Sequence, residues 1–266
     1  MTCKLCLAEK ELWDSHIIPE FQYKPLYDEK HRFFVISTDP EKDDFYEQKG
    51  FREKLLCQQC ETKFSRWETY ANKVIFGKEA YQIERVGEFV RVGGVSYHEF
   101  KLYLLSLLWR MSISTLKYFS AVSLGPHEEK IRLCLLNENP GKPIDYPCFI
   151  TAIQFQGHFK PDWIFPPVRS KVRGVHCYAV VVSGILYEFF ITKKPLPINA
   201  EQVAINEQEN FLMAVSRLEE IPFLYEILMQ HSKAQNERKK TAKQVPSQSL
   251  MRYLPCAIRQ NNFKSA

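Results

Sequence analysis

Phe64, Trp67, Ala71, Val74 and Ile75 recur in ETKFSRWETYANKVIF at the three- and four-residue spacing of one helix face, which predicts an amphipathic helix just after Cys60. Gly77 follows as its C-terminal stop. Upstream, the stretch from Tyr27 to Lys54 is polar and turn-rich, with one strand-like run at Phe33 to Ser37. Downstream, HEFKLYLLSLLWRMSISTLKYF is apolar nearly all round, the pattern of a helix buried between other elements. Arg110 stands inside it. A buried guanidinium needs a carboxylate or several carbonyls, so a partner among the acidic residues of the N-terminal unit is expected; the alternative is an Arg that snorkels from the helix edge.

From Pro140 to Pro197 the pattern turns to strands: CFITAIQFQGHF, then VHCYAVVVSGILYEFFITKK, where SG between two apolar runs reads as a hairpin turn. Tyr178, Tyr187, Phe189 and Phe190 on these strands read as sheet packing rather than a base-stacking platform. A helix is expected from about Glu207 to Ser232, interrupted near Pro222. The division that follows is an N-terminal module over 1–76, a mixed helical and antiparallel-sheet domain over 77–240, and a polar tail over 241–266. The fold class is α+β.

Composition changes this picture little. The 266 residues are 45% hydrophobic and 25% charged, ordinary for a globular chain, and long enough for one large core or two modest ones. The net charge of +5 permits nucleic acid without demanding it, and most of the excess sits in KAQNERKKTAK, with Lys233, Arg238, Lys239, Lys240 and Lys243. That run reads as a solvated helix end or as a phosphate-binding arm. No stretch reaches the apolar length of a membrane span, and the N-terminus lacks a signal-peptide pattern, so a cytoplasmic protein with no membrane partner is expected.

Four of the eight cysteines form two C-x-x-C knuckles, Cys3 with Cys6 and Cys57 with Cys60. Such knuckles point both sulfurs at one ion, so the four thiolates suit a tetrahedral structural zinc. The long separation is tolerable because loop-closure cost grows only logarithmically with length, and metal binding offsets it. Cys134, Cys148, Cys177 and Cys256, in apolar contexts, read as buried thiols.

His16 lies in DSHIIP, beyond the first knuckle, and LLCQQCE carries the second. A C-x-x-C, a His followed by two aliphatics and Pro, and a Leu-Leu-Cys-x-x-Cys opening a helix resemble the HNH class of His-metal finger nucleases. They also resemble a group of bacterial proteins with SHIIP and LLCxxCE motifs. The resemblance covers only about the first 76 residues and implies a zinc-clamped β-hairpin followed by a helix. It implies His16 as general base, activating water for attack on a phosphodiester. Glu61, with Asp14 or Glu68, would hold a catalytic magnesium or manganese, and Arg52, Lys63 and Arg66 would hold phosphates. Ser15 stands where the class has a ligand beside the base, and GFREK lacks the class's Asn.

Two readings follow. The first is a metal-dependent endonuclease acting on DNA or RNA, which the resemblance connects with anti-phage defence and with a protein partner that activates it. The second is a catalytically inactive zinc module that binds a protein or a nucleic acid.

Overall fold

The computed structural model describes residues 1–35, 44–77, 81–172, 174–191, 196 and 200–241. After the first knuckle, β1 (Trp13–His16) leads through Pro19 into a one-turn helix, α1 (Glu20–Tyr23). β2 (Phe33–Val35) and β3 (Phe45–Glu47) pair antiparallel with each other. β4 (Arg52–Leu56) then returns antiparallel to β1 and runs directly into α2 (Gln58–Ile75). The register sets Ser15 opposite Glu53 and His16 opposite Arg52. Gly50, at φ +70°, makes the bend that feeds β4, and a Cβ there would fall 2.4 Å from the Tyr23 ring. Only glycine fits that approach. The Tyr23 hydroxyl then accepts the Phe51 N–H at 3.1 Å, fixing the strand's start.

The remaining elements are β5 (Gln82–Val86), β6 (Phe89–Gly93), α3 (Tyr97–Ile113), α4 (Pro126–Leu136), β7 (Cys148–Phe155) and β8 (His158–Phe159). They continue with β9 (Phe165–Val172), β10 (Val175–Val182), β11 (Ile185–Phe190), α5 (Ala200–Val203), β12 (Asn210–Arg217) and α6 (Pro222–Thr241). One sheet runs β5-β6-β12-β7-β11-β10-β9, with β8 added on β7. Its pairs are antiparallel except β12 with β7, which is parallel. The fold is mixed α+β.

The expected amphipathic helix is α2, with Phe64, Trp67, Ala71 and Val74 buried. The all-round apolar helix is α3, buried from Phe100 through Met111 and capped where the Ser96 side chain accepts the Glu99 N–H. The SG turn joins β10 to β11 with positive φ at both Ser183 and Gly184. Tyr187, Phe189 and Phe190 are buried in the sheet. The strand-like run at Phe33 ends as β2 at Val35; Ile36 and Ser37 lie outside the described residues.

The helix expected from Glu207 to Ser232 is corrected. Residues Asn210–Arg217 are β12, held between β6 and β7, and the helix starts at Pro222. Cross-strand pairing overrides the local helix preference of NFLMAVSR, and Phe211 stacks on Phe100 of α3 at 5.5 Å. Pro222 is the helix's first residue, where its missing N–H costs nothing.

The apolar core continues across residue 76. Leu5, Ile17, Ile18, Phe64 and Trp67 belong to one buried cluster with Leu104, Leu107, Leu108 and Trp109 of α3 and Val180 and Tyr187 of the sheet. Each large side chain so buried contributes roughly 1.5–3 kcal/mol. The zinc-knuckle unit is thus seated on α3, and Arg110 is carried underneath it.

Candidate functional site

The two knuckles meet at the junction of β4 and α2. Leu7, at φ +61°, closes the first, with Leu7 N–H to Cys3 O at 2.9 Å and Cys3 N–H to Ala8 O at 3.0 Å. Lys4 N–H donates to Leu55 O at 3.0 Å, tying that knuckle to β4. Cys57 is the N-cap residue of α2 and Cys60 lies in its first turn. The four Sγ atoms of Cys3, Cys6, Cys57 and Cys60 lie within 4.8 Å of one another. Cys6 and Cys57 sulfurs are 3.9 Å apart, close to the edge of about 3.8 Å that a tetrahedron of Zn–S bonds near 2.3 Å requires.

The surroundings favour the thiolate at Cys3, while burial pushes the Cys6 and Cys60 thiols up, so a cation among the four is what would hold them deprotonated. Burial pushes the Cys3 thiol up, but the backbone amides about it, among them Cys57 N–H at 3.4 Å, outweigh burial and bring it to about 7. Arg132 donates to the Leu5 carbonyl inside the first knuckle and is itself held by Glu129 at 2.7 Å, so α4 braces the clamp and places a cation beside it. These residues fit a structural zinc, which would be closed by four sulfurs with no position left for substrate.

Behind the clamp, Ser15 is fully buried, and its Oγ accepts the Leu56 N–H at 3.2 Å. The residue standing at the class's ligand position therefore serves the hairpin backbone. Glu61 and Glu68, seven residues and so about 20° apart around α2, share one flank of the helix. Glu68 is committed: its Oε1 lies 2.7 Å from Arg110 Nη1, and Arg110, 1% exposed, also donates to the His16 carbonyl at 2.7 Å. The buried partner expected for Arg110 is thus Glu68. Burial pushes the Glu61 carboxyl up, against the pull of the Ser15 hydroxyl and Arg110, and its Oε1 has no hydrogen-bond partner.

His16 points elsewhere. Its side chain is 19% exposed, and Nε2 lies 2.6 Å from Glu20 Oε2, close but not aligned as a hydrogen bond. Glu20 also accepts the Tyr27 hydroxyl at 3.2 Å and lies 3.5 Å from Arg52 Nη2. Arg52 Nη1 is 3.9 Å from Asp14 Oδ2, and its Nε donates to Lys49 O at 2.8 Å. Burial, then the Arg52 charge, lower the His16 pKa below its ordinary value despite Glu20, so the imidazole is neutral at neutral pH. His16, Arg52 and Asp14 of the hairpin and Glu20 of α1 thus form a partly exposed polar cluster.

The sequence-expected residues therefore divide. His16, Asp14 and Arg52 come together; Glu61 and Glu68 sit with Arg110. Lys63 and Arg66 are on the other flank of α2, where both pair with Glu138 at the end of α4. Among the described residues, the four cysteines are the one set of three or more His, Cys, Asp or Glu ligands that converge. The described carboxylates thus form no cluster of three that would by itself hold a magnesium or manganese ion. Glu20 went unread in the sequence, although a Glu four residues after His16 and just past Pro19 sits where a helix start would turn it back.

Cys148 and Cys177 are buried thiols, Cys134 is half-buried, and Cys256 lies outside the described residues; of the basic run, Lys233, Arg238, Lys239 and Lys240 fall within α6 and Lys243 lies outside the described residues. No helix among the described residues is long and apolar enough to cross a membrane. No family model, curated protein or solved structure matches the chain.

Proposed function

We propose that the protein cleaves phosphodiester bonds of nucleic acid at the polar cluster of His16, Glu20, Arg52 and Asp14, in a module of HNH type whose hairpin and helix are held by zinc. The observation that carries this reading is the His16–Glu20 contact of 2.6 Å beside a partly exposed guanidinium. A neutral imidazole can take a proton, a carboxylate on its other nitrogen orients it and steadies the imidazolium that forms, and an Arg can hold the phosphate. Catalytic hydrogen bonds are often poorly aligned before substrate arrives, so the present angle is compatible with the role. The order β1, β4, α2 under four thiolates supports the resemblance to the nuclease class.

The second reading, a binding module without catalysis, is favoured by one observation: Arg110 occupies Glu68, one of the two carboxylates read as partners of Glu61 in a divalent site. Plasmid DNA and single-stranded RNA, incubated with the zinc-loaded chain with and without magnesium or manganese, separate the two. Cleavage lost in His16→Ala supports the nuclease. Retention of nucleic acid on the chain without any cleavage supports the binding module.

A further inference from the structure

Among the described residues no three carboxylates or histidines converge at the His16 cluster, and that bears on which nucleic acid it can cut. Hydrolysis by the metal-dependent route needs a water whose proton a divalent ion has made easier to remove. Asp14 is 59% exposed and faces Arg52, Glu68 is bound to Arg110, and the described carboxylates and histidines nowhere converge in threes. A ribose hydroxyl needs no such ion. Held next to its own phosphate, it reacts with an effective molarity that can reach 10⁵–10⁸ M, roughly, and asks of the protein only a base and a cation.

Both are present. His16 Nε2 lies 2.6 Å from Glu20, whose other oxygen is held by Tyr27; once aligned, that contact favours the tautomer with its proton on Nε2 and the lone pair on Nδ1. Arg52, across the strand pair from His16, makes only loose contacts with its carboxylates, at 3.5 and 3.9 Å. Two hydrogen bonds to phosphate oxygens would be shorter and charge-assisted. Arg110 lies beneath, on the His16 carbonyl, and keeps the strand end in place.

Resting on the nuclease reading above, we propose that the substrate is RNA and that the cluster cleaves it without a divalent ion, by attack of the 2′-hydroxyl on the adjacent phosphorus. His16 Nδ1 takes the 2′-hydroxyl proton as the O2′–P bond forms. The P–O5′ bond breaks, the departing 5′ oxygen takes a proton from water, and the imidazolium returns its proton to the hydroxide so left. The products are a 2′,3′-cyclic phosphate and a 5′-hydroxyl. No oxidant or second substrate is consumed. Glu20 acts through His16 and is a positioning residue; Arg52 would touch the phosphate.

The test uses the full zinc-loaded chain in buffer freed of other divalent ions, with zinc content measured after the assay. Its probes are a labelled single-stranded RNA, the all-DNA oligonucleotide of the same sequence, and the RNA methylated at each 2′-oxygen. Expected are RNA cleavage to cyclic-phosphate ends, intact DNA and methylated RNA, and a loss of about 10²–10⁴-fold in His16→Ala. Because the methylated substrate needs no protein variant, a folding defect cannot imitate the result. Cleavage that appears only with magnesium or manganese, or that leaves 3′-hydroxyl and 5′-phosphate ends, overturns this mechanism and leaves the nuclease reading standing. No cleavage of any probe with or without those metals overturns both.

Discussion

Arg110 and Glu68 form an ion pair beneath the hairpin that carries the four-cysteine cluster, 2.7 Å apart, and the same guanidinium nitrogen donates to the carbonyl of His16 at 2.7 Å. One buried cation thus joins α3 to α2 and to the end of β1. Its ring-face contact with Phe64, 5.3 Å from the centroid, adds a further hold.

Removing one member of this pair leaves the other buried without a counter-charge. Glu68→Gln is expected to lose about 3–5 kcal/mol of stability by chemical denaturation, and Arg110→Met with Glu68→Gln less than the sum of the single losses. A loss below about 1 kcal/mol in Glu68→Gln would show that the pair is not holding the hairpin.

Much of this frame was legible before the structure. The helical spacing of Phe64, Trp67 and Ala71 gave α2, the two knuckles gave the clamp, and the apolar surroundings of Arg110 left a carboxylate partner or a snorkelling side chain as the two choices, of which the structure has the first. What failed was what depends on distant pairing. β12 lies parallel to β7, and that neighbour, more than sixty residues earlier, is not visible in NFLMAVSR. The neighbours of His16 were hidden in a similar way. The resemblance directed attention to Glu61 and Glu68 on α2, while the carboxylate that meets His16 is Glu20, turned back by the chain's bend at Pro19.

Gly50→Ala should destabilise the hairpin, since the new Cβ would meet the Tyr23 ring at 2.4 Å in a backbone conformation that L side chains rarely adopt. A loss of roughly 1–3 kcal/mol is expected from overpacking and strain together. Thermal unfolding of the zinc-loaded variant reads it directly, and an unchanged midpoint would refute the tight approach.

Glu188 lies between strands of the large sheet, and burial pushes its carboxyl up to about 7. A raised folded pKa means stability fully present below the unfolded value near 4.5 and lost as pH rises through about 7. Glu188→Gln removes this cost. It is expected to be more stable than the parent at pH 8, by something on the order of 1–3 kcal/mol, and no more stable at pH 4. Equal curves for the two proteins across that window would contradict the assignment.

The clamp predicts one zinc per chain by elemental analysis, lost in Cys57→Ser. Since zinc binding is coupled to folding of such units, the variant's N-terminal module should become open to protease before the sheet does. Full zinc occupancy in Cys57→Ser would contradict a four-sulfur site.

The pairing of His16 with Glu20 is tested most directly by a double-mutant cycle on kcat/KM for RNA cleavage, with His16→Ala, Glu20→Gln and both together, each at full zinc occupancy. If Glu20 acts only through the imidazole, the double variant is no slower than His16→Ala, whose loss is about 10²–10⁴-fold. Losses that multiply in the double variant would contradict a working pair.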